Sequence, residues 1–320
     1  MTETADIPQV KADGKYERLI AATKHVPPMD TAVVFPCDES SLQGAIKAAR
    51  TGLIRPVLVG PRDKILGVSA AISTEVGGFE IIDIADSRAA ADMAVQLVRA
   101  GKVDLIMKGS LHSDELLGAV TKRDAGLRTE RRISHVFLID VPTHPHTLFI
   151  TDAAVNIAPD LVAKRDITQN AIDLYVALGM GTPKVAILSA VESVSLSIPS
   201  TIDAAALCKM ADRGQITGGE LDGPLAFDNA ISPQAARVKG IKSSVAGRAQ
   251  ILVVPDLEAG NMLAKNLTFL LKADAAGIVL GARVPIILTS RADNLRTRMA
   301  SCAVAVLLRQ HQLTLEPIGA

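Results

Sequence analysis

The feature that most constrains the fold is an alternation. The β-branched, apolar runs "TAVVF" at 31 to 35, "RPVLVG" at 55 to 60, "FEIID" at 79 to 83 and "VDLIM" at 103 to 107 are each followed by a stretch of helical length. "SSLQGAIKAAR" and "SRAAADMAVQLVRA" are two such stretches, rich in Ala and Leu. Strands that alternate with helices read as βα units around a parallel sheet, so the chain is expected to be an α/β protein.

The pattern changes between residues 134 and 151, where "SHVFLIDV" and "TLFIT" are separated by "PTHPH". A short Pro-containing turn between two strands predicts an antiparallel pair, and a first domain giving way to a second. Beyond it "KVAILS", "AQILVV" and "VPIIL" return to strands with helices between them. A last helix is expected over about 294 to 310, with Leu295, Met299, Cys302 and Val306 on one face.

Composition narrows the function. With 320 residues and 48% hydrophobic content, the chain is long enough for about two domains. Its 34 basic and 34 acidic residues cancel, which removes the general electrostatic reason to bind nucleic acid or a membrane surface. Aromatic content of 2% without Trp removes the stacking platforms of single-strand binders. No apolar run reaches the ~18 residues of a spanning helix, and "MTETADIPQVKADGKYER" is acidic and polar rather than signal-like, so a cytoplasmic location is expected. Cys37, Cys208 and Cys302 are scattered without CxxC spacing and read as small buried residues.

P-loop, zincin and nucleophile-elbow motifs are absent. A partial "GMG" at 179 to 181 follows a helix and precedes a strand, the reverse of a dinucleotide fingerprint. His144 and His146 flank Pro145 on a turn without a third ligand nearby, so no metal is expected. Chemistry must then come from polar clusters at strand ends, where open α/β sheets gather ligands.

Lys108 opens "KGSLHSDELL" at one such end, with Ser113 or Asp114 as a possible helix cap. Arg128, Arg131 and Arg132 form a basic cluster before a strand, either a solvated loop or a surface for a phosphorylated ligand. Asp152 and Asn156 lie past another strand, Asp222 in "DGPLAFDNAISP", and Asp256 and Asn261 at a helix start. Finally, "PIILTSRADNLRTR" passes from an apolar stretch straight to Ser290, Arg291 and Asp293 at the mouth of the last helix. These residues suit either a cap for unpaired backbone N–H groups or a site for a phosphate or an oxyanion.

In order along the chain, "RPVLVGP", "SHVFLIDVP", "TDAAVNIAP", "VAILSAVE", "PSTIDAAALCKMADRGQITGGELDGPLAFDNAISP", "SSVAGRAQILVVPDLEAGNMLAK" and "TSRADN" resemble the phosphate acetyltransferase and phosphate butyryltransferase family. The resemblance implies reversible transfer of a short acyl group, acetyl first with propionyl or butyryl as options, between CoA and inorganic phosphate. It implies two α/β domains with an interdomain cleft, an architecture like that of isocitrate and isopropylmalate dehydrogenases. The last helix returns to the first domain, giving a division into residues 1–140 with 285–320, and 141–284.

It also implies a homodimer or higher homo-oligomer, with CoA, acyl phosphate and inorganic phosphate as partners and no bound cofactor. Ser290 and Arg291 fall on the family's Ser-Arg pair, the arginine holding the phosphoryl group and the serine bonding the thiolate or the developing oxyanion. Where acetyltransferase members carry an aspartate base, seven positions after that serine, this chain has Thr297; Asp293 is the nearer candidate. The substrate-binding candidates are Lys108, Arg131, Ser134, Asp152, Asn156, Asp222, Asp256 and Asn261. Two alternatives are an NAD-dependent decarboxylating dehydrogenase of similar fold, and a sensor that binds acyl-CoA or acyl phosphate without catalysis.

Overall fold

Four aspartates begin four of the helices. Asp38, Asp86, Asp160 and Asp256 each accept a hydrogen bond, at 2.7 to 2.8 Å, from the backbone N–H three residues on. Each satisfies a donor that the first helical turn leaves unpaired, worth about 1 kcal/mol. A computed structural model describes residues 15–290 and 293–315.

The first part of the chain runs α1 (Lys15–Ala22), β1 (Met29–Val34), α2 (Glu39–Arg50), β2 (Ile54–Gly60), α3 (Arg62–Ala71), β3 (Glu80–Asp83), α4 (Ser87–Arg99), β4 (Leu105–Lys108) and α5 (Ser113–Thr121). It continues through β5 (Ser134–Asp140), β6 (Leu148–Thr151), α6 (Leu161–Ala177), β7 (Lys184–Leu188), α7 (Pro199–Asp212), β8 (Glu220–Leu225), α8 (Phe227–Ile231), α9 (Pro233–Val238) and β9 (Ile251–Val253). The last elements are α10 (Leu257–Leu270), β10 (Asp274–Leu280), β11 (Ile286–Ile287) and α11 (Leu295–Leu315).

The strands form one mixed sheet in the order β3-β2-β1-β4-β11-β10-β5-β6-β9-β7-β8. β1, β2, β3, β4 and β11 run parallel to one another, and so do β6, β7, β8 and β9. The central pairs β11 with β10, β10 with β5 and β5 with β6 are antiparallel. The antiparallel pair expected around "PTHPH" is β5 and β6, with Val136 opposite Thr151. Its consequence is larger than a domain change, because the two parallel sets consequently point in opposite directions within one sheet.

Two strands were not expected from the sequence. β8 contains Gly223 and Pro224 and sits at the sheet edge, where a proline costs no ladder bond. β10, "DAAGIVL", begins with small residues of poor strand propensity and is nonetheless held between two neighbours.

β4 is buried at all four positions, and α11 is buried continuously from Thr297 to Val306. A helix apolar on one face only would rest on the surface; α11 is enclosed, packing on β10, α2 and α6. Its first turn is tied to α1, where the Arg296 guanidinium lies 3.9 Å from the centre of the Tyr16 ring and bonds Asp274 at 2.7 Å. No helix among the described residues is long and apolar enough to cross a membrane.

Candidate active site

The turn after β4 is set by the main chain. Gly109 and Ser110 donate their N–H groups to Val34 and Phe35 carbonyls at 2.9 Å, and the Ser110 hydroxyl donates to the Phe35 carbonyl at 2.8 Å. A Cβ on Gly109 would lie 2.4 Å from the Val34 oxygen, so only glycine permits this approach. Lys108 is thereby held at the last position of β4, 4% exposed. Burying that ammonium is costly unless an anion or polar groups answer it.

β11 ends beside it, with Ile287 in register with Met107. The chain then reaches Ser290, whose N–H donates to Asp293 Oδ2 at 2.6 Å, while the Asp293 N–H donates to the Ser290 carbonyl at 3.2 Å. Asn294 is the residue that caps α11, its Oδ1 accepting from the Thr297 N–H at 2.9 Å. Asp293 is therefore not consumed as a helix cap.

Behind this turn lies Arg298, 2% exposed. Its Nε donates to Ser40 Oγ at 3.0 Å, its Nη1 to Thr289 Oγ1 at 2.8 Å and its Nη2 to the Ser290 carbonyl at 3.0 Å. No carboxylate makes an ion pair with it among the described residues.

Lys108, Ser290, Asp293 and Thr297 line a cleft of about 710 Å³, joined by Asn261, Lys265 and Thr268 of α10 and by the apolar Phe137 and Leu288. Burial raises the Asp293 carboxyl above the ordinary aspartate value, while the Ser290 N–H and the charges of Arg298 and Lys108 pull the other way. The carboxylate is thus a stronger base than a solvated aspartate, in a site whose fixed cations favour a further anion. A smaller hollow of about 230 Å³ beneath α1 has a largely apolar lining that includes Leu138 and Leu178, with the Lys15 to Asp140 ion pair beside them, and gathers no such set.

Residues 87–306 match the family described as phosphate acetyl/butaryl transferase. Over 92% of its length the chain is 68% identical to the phosphate acetyltransferase of Rhizobium meliloti, covering 93% of that protein. The chain belongs to the phosphate acetyl/butyryl transferase family. It is also 40% identical, over 92% of its length, to the phosphate butyryltransferase of Clostridium beijerinckii, covering 97% of that relative. The crystal structure of a branched-chain phosphotransacylase from Enterococcus faecalis V583 superposes with a TM-score of 0.75 at 28% identity, over 88% of this chain and 99% of that one.

Within this member of the family, the cleft brings together Lys108, Asn261, Ser290 and Asp293 from the residues named in the sequence. Arg291 lies outside the described residues. The remaining candidates lie elsewhere, for physical reasons. Asp256 caps α10. Asp152, 3% exposed, accepts the N–H groups of Ala154, Val155 and Asn156 and the Asn156 side-chain amide at 2.6 to 3.1 Å, leaving it engaged by its own loop.

Asn156 accepts from Arg132 Nε at 2.7 Å and donates to the Ile133 carbonyl at 2.9 Å. Ser134 is fully buried, its hydroxyl accepting from Asn170 Nδ2 at 2.9 Å. Asp152 and Asn156 shape the loop that carries Ala154 to the cleft lining, while Ser134 is held on β5. Arg131 pairs with Asp173 at 3.6 Å beside a separate hollow of about 180 Å³. Asp222 belongs to the edge strand β8, its carboxylate accepting from the Gly223 N–H at 2.8 Å.

Lys265 and Thr268 on the cleft wall, and Arg298 behind it, were not among the residues named from the sequence. The first two carried a legible signal, since Asn261, Lys265 and Thr268 recur at spacings that share a helix face. Arg298 carried none, because an arginine beside the apolar face of a helix reads as solvated until the helix is known to be enclosed. At the α5 start neither Ser113 nor Asp114 is the cap; His112 holds that place, its N–H donating to Glu115 at 2.9 Å.

Proposed function

We propose that the chain transfers a short acyl group reversibly between CoA and inorganic phosphate, with acetyl as the preferred group. The observation that carries this reading is the convergence of Ser290, Asp293 and the buried Lys108 in one cleft, with the buried Arg298 bonded to the Ser290 carbonyl behind it, in a chain closely similar to a phosphate acetyltransferase.

In the acyl phosphate direction, Lys108 and Arg291 bind the phosphoryl oxygens. Arg291 takes this role from the family resemblance; a bidentate guanidinium suits a phosphate. Asp293 accepts the CoA thiol proton, which its burial-raised basicity favours. The thiolate attacks the acyl carbon, the C–S bond forms, and Ser290 donates a hydrogen bond to the developing oxyanion. Collapse breaks the C–O bond to phosphate, and the proton on Asp293 passes to the departing phosphate. Atoms and charge balance without a cofactor.

The transfer is direct. Burial pushes the Cys302 and Cys208 thiols up to about 12 and Cys37 to about 11, so none serves as a thiolate acyl carrier near neutrality. We read the cleft as interdomain, between residues 1–140 with 285–320 and residues 141–284, in an arrangement like that of isocitrate and isopropylmalate dehydrogenases. In support, α10 contributes from one unit while β4, the α5 start and the α11 start contribute from the other. We also read the protein as a cytoplasmic homodimer or larger homo-oligomer, a reading that the exposed apolar side chains of Ile157, Val162 and Leu196 support.

The experiment is acyl phosphate-dependent thioester formation with acetyl, propionyl and butyryl phosphate in parallel. Acetyl is expected to give the highest kcat/KM. Higher values with butyryl phosphate would overturn the acyl preference, and no thioester from any donor would overturn the activity.

A further inference from the structure

We propose that Arg298 is a positioning residue for acyl transfer: from behind the β11 exit it fixes the Ser290 turn and places a permanent positive charge beneath the anion site. The inference rests on the assignment of the cleft as the acyl-transfer site and adds a residue that lies outside its lining.

An arginine 2% exposed with no ion-pair partner among the described residues is an expensive feature. Among the described residues its direct hydrogen-bond partners are three neutral oxygens, and all three sit on segments that define the site's rear. Thr289 and Ser290 belong to the β11 exit itself, and Ser40 belongs to the first turn of α2. The planar fork thus joins a distant helix to the residue before the active serine and to that serine's own carbonyl. A lysine has one ammonium and cannot reach three divergent acceptors with the same geometry.

Space has been cleared for this side chain. A Cβ on Gly44, inside α2, would lie 2.8 Å from Arg298 Cδ. Glycine in a helix interior costs about 1 kcal/mol against alanine, so the vacancy itself has a price that the arginine explains. The titratable groups facing the guanidinium from the packed elements are the carboxyls of Asp38 at the α2 start and Asp293 across the turn, and the Cys302 thiol one turn along α11, which is uncharged near neutrality. None neutralises it by contact. The field remains for an incoming phosphoryl group and for the ionised form of Asp293.

The test compares Arg298→Met, which keeps the stem and removes the charge, with Arg298→Lys, which keeps the charge and loses the fork. Folding is checked by circular dichroism and thermal melting of the purified full-length chain. For Arg298→Met the expected result is a kcat about 100-fold lower, with the KM for CoA changed less than threefold. The acidic limb of kcat against pH should move upward, because removing a cation makes Asp293 harder to ionise. Arg298→Lys should restore the position of that limb and recover only part of kcat.

A purely structural role would lower the melting temperature while leaving the pH limb and the kcat of the folded fraction in place, and that result overturns the proposal. Should Arg298→Met fail to fold, Arg298→Lys decides alone: wild-type kcat overturns the proposal, and a kcat at least tenfold lower with an unshifted limb upholds it. Asp293→Asn separates the two readings. If that variant keeps the wild-type pH profile, the base assignment fails, while a fall in kcat at Arg298 still upholds placement of the Ser290 turn.

Discussion

Ser290 and Asp293 bond each other twice: the Ser290 N–H reaches Asp293 Oδ2 at 2.6 Å, and the Asp293 N–H reaches the Ser290 carbonyl at 3.2 Å. A carboxylate that might have begun a helix is instead folded back against the serine, because Asn294 already caps α11. The pairing keeps an acid and a hydroxyl at the same edge of the cleft, beside Lys108.

Asp293→Asn separates the chemistry of this carboxylate from its cost. Loss of a general base lowers kcat roughly 10²- to 10⁴-fold. Stability should move the other way. The folded-state carboxyl is raised above the ordinary aspartate value, so the native chain holds the proton more tightly than the unfolded chain. Stability therefore declines as pH climbs from the ordinary aspartate range through the raised value. Asp293→Asn is expected to melt at a higher temperature than the parent at pH 7, with the difference vanishing in acid. A melting curve that moved down at pH 7 would show that the Ser290 bond outweighs the burial of charge.

Lys108→Met removes a buried cation without changing the length of the side chain greatly. A charge-assisted hydrogen bond is worth about 1.5–3 kcal/mol, and about 1.4 kcal/mol corresponds to a factor of ten. The KM for inorganic phosphate in the reverse reaction is expected to rise between about 10- and 100-fold. Initial rates against phosphate concentration measure this, and an unchanged KM would remove Lys108 from phosphate binding.

His135 predicts an acid-sensitive fold. It is fully buried on β5, its ring centre 4.3 Å from that of Phe137, which lines the cleft. Burial lowers its pKa from 6.5 to about 3, with a contact to the Leu288 main chain opposing the change weakly. The unfolded chain thus takes up this proton first as pH falls, and stability is lost progressively between about 6.5 and 3. His135→Leu is expected to flatten that part of the profile in denaturant titrations. An identical slope in the variant would place the acid sensitivity elsewhere.

Gly44→Ala is expected to defy helix propensity. Alanine is favoured over glycine in an exposed helix interior by about 1 kcal/mol, yet here the new methyl meets Arg298 Cδ at 2.8 Å. The variant should melt below the parent and lose several-fold in kcat through displacement of the arginine. A gain in melting temperature would mean that the arginine yields without consequence.

Much of the sheet was legible. The runs at 31 to 35, 55 to 60, 79 to 83 and 103 to 107 became β1 to β4 with boundaries shifted by one or two residues, because β-branched apolar stretches of strand length have few other uses in an α/β chain. β10 was not legible, since "DAAGIVL" lacks the residues that mark a strand and is specified by the two neighbours that bond it. For the same reason the single continuous sheet stayed hidden: β10 is the strand that bridges β11 to β5.

Of the residues lining the candidate cleft, Lys108, Asn261, Ser290 and Asp293 were legible as polar residues just past apolar runs or at a helix start. Asp152 and Asp256 carried the same local signal and proved to be committed to their own backbone. Sequence position brings an aspartate to the end of a strand; only the surrounding N–H groups decide whether it is spent there or left for chemistry. Arg298 shows the converse, an ordinary residue type made important by enclosure.

The central claim is that thioester forms at the Ser290 turn, and its most direct measurement is the initial rate of acetyl-CoA formation from acetyl phosphate and CoA by the parent chain and by Ser290→Ala. Robust turnover by the parent is expected, with kcat for Ser290→Ala lower by about 10²- to 10³-fold, the loss that follows removal of one oxyanion donor. Parent-like turnover by a folded Ser290→Ala protein would contradict the account.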